Sequence, residues 1–74
     1  MTFPTEKQLE SLRRRFPAGL RIELIEMVNE PDPVPPGTLG TVVYVEPDGS
    51  VAVAWDNGRS LSLLPDAGDS YRCI

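Results

Sequence analysis

The chain's 74 residues make one domain, 1–74, near the size at which a single core leaves only about 3–5 kcal/mol of stability, so a deep enclosed active site is not expected. Seven basic against eleven acidic side chains give a net charge of −4, and 41% hydrophobic with 24% charged residues describes a globular chain and not a disordered one. There is no apolar run approaching the ~20 residues of a membrane span, and no basic-then-apolar leader at the start, so a soluble cytoplasmic protein is expected.

The first element expected is a short helix over residues 5–16. Thr5 and Gln8 have the capping-box spacing, in which each side chain bonds the other's backbone amide. Leu9, Leu12 and Phe16 follow at helical spacing and form one apolar stripe. Glu10 and Arg14 have the favoured order for an i,i+4 pair, and Arg13, Arg14 and Arg15 oppose the negative end of the helix dipole. Pro17 and Gly19 end the element.

From Leu20 to Val28 the pattern changes to a period of two, with Ile22 and Leu24 set against Arg21 and Glu23. At Ile25, Met27 and Val28 apolarity becomes continuous, so this part of the strand is either buried on both faces or bent. NEPDPVPPGT, residues 29–38, then holds four of the chain's eight prolines, which denies it a central strand or a helix and predicts a stiff exposed loop.

Leu39 to Leu64 reads as three short strands in a meander. Asp48-Gly49 and Asn57-Gly58 supply the positive φ angles of two-residue hairpin turns, each flanked by Val, Tyr, Trp or Leu. Gly37 and Gly40 bracket the entry to its first strand, where a coiled sheet needs a kink or bulge. Val51, Val53 and Trp55 share one face, which favours Trp55 as a core plug over a stacking platform. Tyr44 has the opposite parity to Val43 and Val45 and is expected to be partly exposed. Pro65 to Ser70 reads as a turn, and Tyr71 to Ile74 as a short last strand. The fold expected is mainly β: a small SH3-like barrel of about five strands over residues 20–74, preceded by the helix.

Three runs carry a family resemblance: FPAG with Arg21-Ile22-Glu23-Leu24, then Pro36-Gly37-Thr38-Leu39-Gly40-Thr41-Val42, then Val53-Ala54-Trp55-Asp56-Asn57-Gly58 with Leu61. Together they resemble the small bacterial and mobile-element family catalogued as domain of unknown function 4314, over Pro17 to about Pro65. The resemblance implies an SH3-like fold and a phage, plasmid or integrative-element setting. It brings no catalytic residues.

The chemistry available is limited. With no histidine and one cysteine, Cys73, the chain lacks zinc ligands and a base for a thiol nucleophile, and it cannot form an intrachain disulfide. Cys73 reads as a small apolar residue in the last strand. Glu30, Asp32, Glu46 and Asp48 lack the spacing of a calcium loop and read as solvated turns. No catalytic residue, cofactor or metal is assigned, and an enzyme is the least favoured of three readings.

Charge is unevenly placed. Residues 22–70 carry nine acids against Arg59 alone, whereas residues 1–21 hold Lys7, Arg13, Arg14, Arg15 and Arg21 against Glu6 and Glu10. The bland consequence is a helix packed on its own barrel with its arginines compensating barrel carboxylates, since a helix this short is marginal alone. Direct nucleic-acid binding is disfavoured by the acidic body. The leading reading is a non-enzymatic interaction module that binds a basic protein surface. In SH3-like barrels the groove lies between the long first loop and the hairpin turns, which makes Glu30, Asp32, Tyr44, Glu46, Trp55, Asn57 and Arg59 the partner-binding candidates. The alternative is an oligomeric sponge for a small anionic ligand such as a nucleotide, held by Arg13, Arg14, Arg15 and Arg59. That reading needs a site between protomers, because no pocket of a few hundred Å³ is expected within one chain.

Overall fold

In the computed structural model, which describes residues 4–74, the capping box starts the helix as expected. The Gln8 amide donates to Thr5 Oγ1 at 3.2 Å and the Thr5 amide to Gln8 Oε1 at 2.8 Å, opening α1 at Glu6–Arg15. Leu9, Leu12 and Phe16 are buried, so α1 docks on its own sheet, with the Phe16 ring 5.0 Å from that of Tyr71. Arg15 is the α1 arginine that reaches a carboxylate, Asp66, at 3.9 Å; the Glu10–Arg14 pair does not form among the described residues.

Four strands follow: β1 (Arg21–Glu26), β2 (Leu39–Val45), β3 (Val51–Trp55) and β4 (Ser70–Cys73), with a 3₁₀ turn at Pro65–Ala67. They form one antiparallel sheet in the order β3-β2-β1-β4. The sheet has four strands, not five, and it does not close. The third strand expected in the meander shrinks to a single bridge between Val51 and Leu63. Trp55 supplies the reason: its Nε1 donates to the Leu61 carbonyl at 2.8 Å, which diverts that carbonyl from the ladder.

Each of the first two strands carries a register shift. One lies between Leu24 and Glu26 and the other between Val42 and Tyr44. A bulge gives one strand an unpaired residue and breaks alternation, so β1 is bent and not buried on both faces: Ile25 and Val28 are exposed and Met27 is buried. In β2 the same device turns both Val43 and Tyr44 outward while Val42 and Val45 stay inside.

Both turns differ from the two-residue type expected. Gly49 and Gly58 have φ near +90°, but among the described residues no non-glycine residue has positive φ, so Asp48 and Asn57 are ordinary turn residues. The Gly49 amide donates to the Glu46 carbonyl and the Gly58 amide to the Trp55 carbonyl, each at 2.9 Å. Each is a three-residue loop whose left-handed step falls on the glycine. Gly40 is needed for space and not for a kink, since a Cβ there would lie 2.6 Å from the Trp55 ring.

The core includes Ile22, Leu24, Val42, Val51, Val53, Trp55 and Leu63. Val34 is also fully buried, so the proline loop is pinned by one side chain and is not wholly exposed. Asp69 is the other inward group. Its carboxylate accepts from the Val28 amide at 3.0 Å and the Leu64 amide at 2.9 Å, and with the Asn29 side chain on the Ala67 carbonyl at 2.7 Å it ties the connector to the end of β1.

Candidate functional site

Successive hairpins of a meander lie at opposite ends of the strand they share. Because β3 has five residues, the turns at 46–50 and 56–59 are about 16 Å apart along it. The expected groove is therefore divided. The proline loop and the 56–59 turn form a loop end, with Glu30, Asp32, Asn57 and Arg59, while Tyr44 and Glu46 belong to a hairpin end.

At the loop end two of the three carboxylates, Asp32 and Asp56, are matched by arginines, and Glu30 has no ion pair among the described residues. Arg59 Nη2 donates to the Asp32 carbonyl oxygen at 2.6 Å and lies 3.5 Å from Asp32 Oδ2. The Asn57 side chain accepts from the Arg59 amide at 3.0 Å, and Glu30 Oε1 accepts from the Asp32 amide at 3.3 Å. Arg21 grips Asp56 through two hydrogen bonds of 2.8 and 2.7 Å and also donates to Thr41 Oγ1 at 2.8 Å. This two-pronged contact is the strong geometry for the pair. It holds the Asp56 carboxyl below its ordinary value and pushes the Arg21 guanidinium above its own. Trp55, a groove candidate, is only 3% exposed. It is core, with its one polar atom already bonded to Leu61, and offers no face to a partner.

Charges at the hairpin end have no cation beside them. Ser50 is buried, and its hydroxyl lies between Glu46 Oε2 and Asp48 Oδ1, 2.7 Å from the latter. The Ser50 amide adds a 2.9 Å bond to Asp48. These two donors, the hydroxyl foremost, hold the Asp48 carboxyl below its ordinary range. Ser62 donates to Glu46 Oε2 at 3.3 Å, and the exposed Tyr44 hydroxyl reaches Glu46 Oε1 at 3.4 Å. A polar chain thus runs from Tyr44 through Glu46 and Ser50 to Asp48. No Lys or Arg lies within ion-pair distance of Glu46 or Asp48 among the described residues.

Asp48 also faces an open cleft of about 370 Å³. One wall is Pro4, Gln8 and Leu12 at the start of α1, a second is Asp48 and Gly49, and a third is Leu64, Asp66 and Ala67 in the connector. Space for such a site was not expected in one short chain. The cleft exists because it lies between the docked helix and the hairpin, not inside the sheet. Gly49 permits this approach: besides its positive φ, a Cβ on it would stand 3.3 Å from Pro4 Cγ. Sequence reasoning missed Asp66, Leu64 and Gln8 as neighbours of Asp48, since no local signal links three segments so far apart in the chain.

Of the anion-site candidates, Arg59 is bonded to Asp32, and Arg15 lies over the Phe16 ring at 5.3 Å and near Asp66. Arg13 and Arg14 are exposed on α1. Among the described residues there is no group of three or more His, Cys, Asp or Glu placed to hold a metal ion, and no helix is long and apolar enough to cross a membrane. Cys73 is free and exposed, not a buried closing residue.

No curated protein and no solved structure matches the chain. A family model does, and it extends beyond Pro17–Pro65 to take in the helix and the last strand: by this match over residues 5–74, the chain belongs to the family described as Domain of unknown function (DUF4314).

Proposed function

We propose that this protein is a non-catalytic interaction module, carried by a phage or other mobile element, that binds a basic surface of another protein through the hairpin end of its sheet. One observation carries the reading. The three arginines of residues 20–74 are each paired, Arg21 with Asp56, Arg59 with Asp32 and Arg72 with Glu23, whereas Glu46 and Asp48 face solvent or cleft with only hydroxyl and amide donors. Complementary charge steers and selects partners. Beside these carboxylates the β2 bulge presents Val43 and Tyr44, and an exposed tyrosine is a common anchor of protein interfaces.

An SH3-like scaffold is supported by the order of elements and by the Val51–Leu63 bridge, which begins a fifth strand beside β3. Sequestration of an anion has less support, because two of its four cations, Arg15 and Arg59, are engaged within the chain.

The test is affinity capture from a bacterial lysate with the parent protein and a Glu46→Lys/Asp48→Lys variant, read by native mass spectrometry. A protein retained by the parent, released by salt and lost with the variant is the expected result. Equal recovery of the same proteins by both would end the acidic-surface reading.

A further inference from the structure

We infer that the cleft between α1, the 46–50 hairpin and the connector receives a single arginine side chain of the partner protein, an assignment that rests on the protein-binding reading and gives it a specific contact. Pro4, Leu12 and Leu64 offer an apolar lining, and Asp48 and Asp66 stand on two different walls. A long side chain with an apolar stem and a cationic head matches that arrangement, since arginine lays its methylenes along apolar surface while keeping its charge at a polar edge. The planar guanidinium fork can meet carboxylates from more than one direction, which an ammonium does as a point charge only. At about 370 Å³ the space has room for one long side chain, and since small-ligand pockets span roughly 300–1,000 Å³ it is charge and not size that selects the occupant.

Charge excludes the opposite ligand. The amino end of α1 would favour an anion, but the Gln8 amide is closed by Thr5 and Glu6 occupies the first turn, while both carboxylates at the cleft repel one. The Ser50 amide donates to Asp48, and the Ser50 hydroxyl is shared between Asp48 and Glu46, which favours the charged carboxylate. Asp66 keeps room for a cation: the nearest guanidinium among the described residues, that of Arg15, comes only to 3.9 Å.

The test is titration of the isotope-labelled protein, followed through its amide resonances, with a short end-blocked peptide containing one arginine and with the same peptide containing citrulline, the uncharged isostere. Saturable shifts at Gln8, Gly49 and Ala67 with the arginine peptide, about tenfold weaker with citrulline because the charge-assisted bonds are lost, are expected. Asp66→Asn should retain the fold, since among the described residues the one ion pair of Asp66 is the long contact to Arg15, and should weaken the arginine peptide; Asp48→Asn should do the same while keeping the acceptor for Ser50. Equal binding of the two peptides, no shift at these amides, or the same shifts produced by inorganic phosphate would overturn the assignment. So would peptide-free shifts that grow with protein concentration, which would place a second copy in the cleft. Failure here with a partner still lost from the Glu46→Lys/Asp48→Lys variant removes the arginine pocket alone; arginine binding without any such partner removes the wider reading instead.

Discussion

At the loop end of the sheet, Arg59 and Arg21 hold Asp32 and Asp56; at the hairpin end, Glu46 and Asp48 share only serine, tyrosine and amide donors. Both ends are turns rich in carboxylates, yet one has two of its three paired with arginine and the other has neither of its two paired. The loop end uses its charges to fasten a long proline segment whose backbone has few ladder partners. The hairpin end is held by backbone bonds, by α1 packing against Gly49 and by hydroxyl and amide donors to its carboxylates, so its structure is secured with the negative charge left unneutralised. Charge left over from folding is the charge available to a partner.

The sharpest way to break this comparison is through the aromatic at each end. Trp55→Ala, beneath the loop end, should cost about 3–5 kcal/mol in urea unfolding, through lost burial and the cavity left against Gly40. Tyr44→Ala at the hairpin end should stay within about 0.5 kcal/mol, as exposed substitutions do. A comparable loss for both would mean that Tyr44 is structural and not free for a partner.

Next in size is the connector wall. Asp69→Ala leaves the Val28 and Leu64 amides without their acceptor, a loss of about 1–3 kcal/mol, and hydrogen exchange should quicken at those two amides. If exchange there is unchanged, the carboxylate is not what secures the wall of the cleft.

Arg59→Ala should lower stability by no more than about 1 kcal/mol, because the pair is largely solvent-exposed, while raising exchange rates across the proline loop. Glu46→Lys, by contrast, should leave exchange in that loop unaltered, since the two ends do not share contacts.

The smallest effect separates the two depressed carboxylates. Both Asp48 and Asp56 titrate below the ordinary aspartate value of 3.8. A depressed folded-state value means that each contributes stability in full above the unfolded value, and that this is lost as pH falls from there through the folded one. Acid below about pH 4 should therefore weaken both ends. In 1 M salt, where screening acts within about 3 Å, the Asp56 titration should move upward toward 3.8 as its arginine pair weakens. That of Asp48, set by neutral donors, should hold. Equal movement of both would erase the distinction between a compensated end and an open one.

Much of this was legible from local pattern. The capping box, the Leu9-Leu12-Phe16 stripe, the Ile22 and Leu24 alternation and the Val51-Val53-Trp55 face each depend on neighbours a few residues away, and each occupies the place its spacing indicates. The two bulges were not legible, because hydrophobic parity assumes an unbroken ladder; Ile25 and Val43 satisfy the apolar pattern and still face outward. Dipeptide signals located both turns, but their backbone type depends on the residues around them, and Pro47 with a single left-handed glycine was enough. Of the site, Tyr44 was found as an exposed aromatic residue and Glu46, which is half-buried, as an acid at a turn. The link from Glu46 through Ser50 to Asp48 was not, and neither was the cleft, which joins residues more than fifty positions apart.

By itself the amino-acid sequence determined the inventory: a capped helix, short strands, a proline loop without ladder amides, no histidine, and acids concentrated after residue 21. These follow from local sterics and composition. Only the tertiary structure decided which charges remain available, because pairing depends on where the chain returns in space. Arg59 meets Asp32 across twenty-seven positions and Arg21 meets Asp56 across thirty-five, while the docking of α1 on the hairpin opens a cleft beside Asp48, a carboxylate that no cation among the described residues reaches.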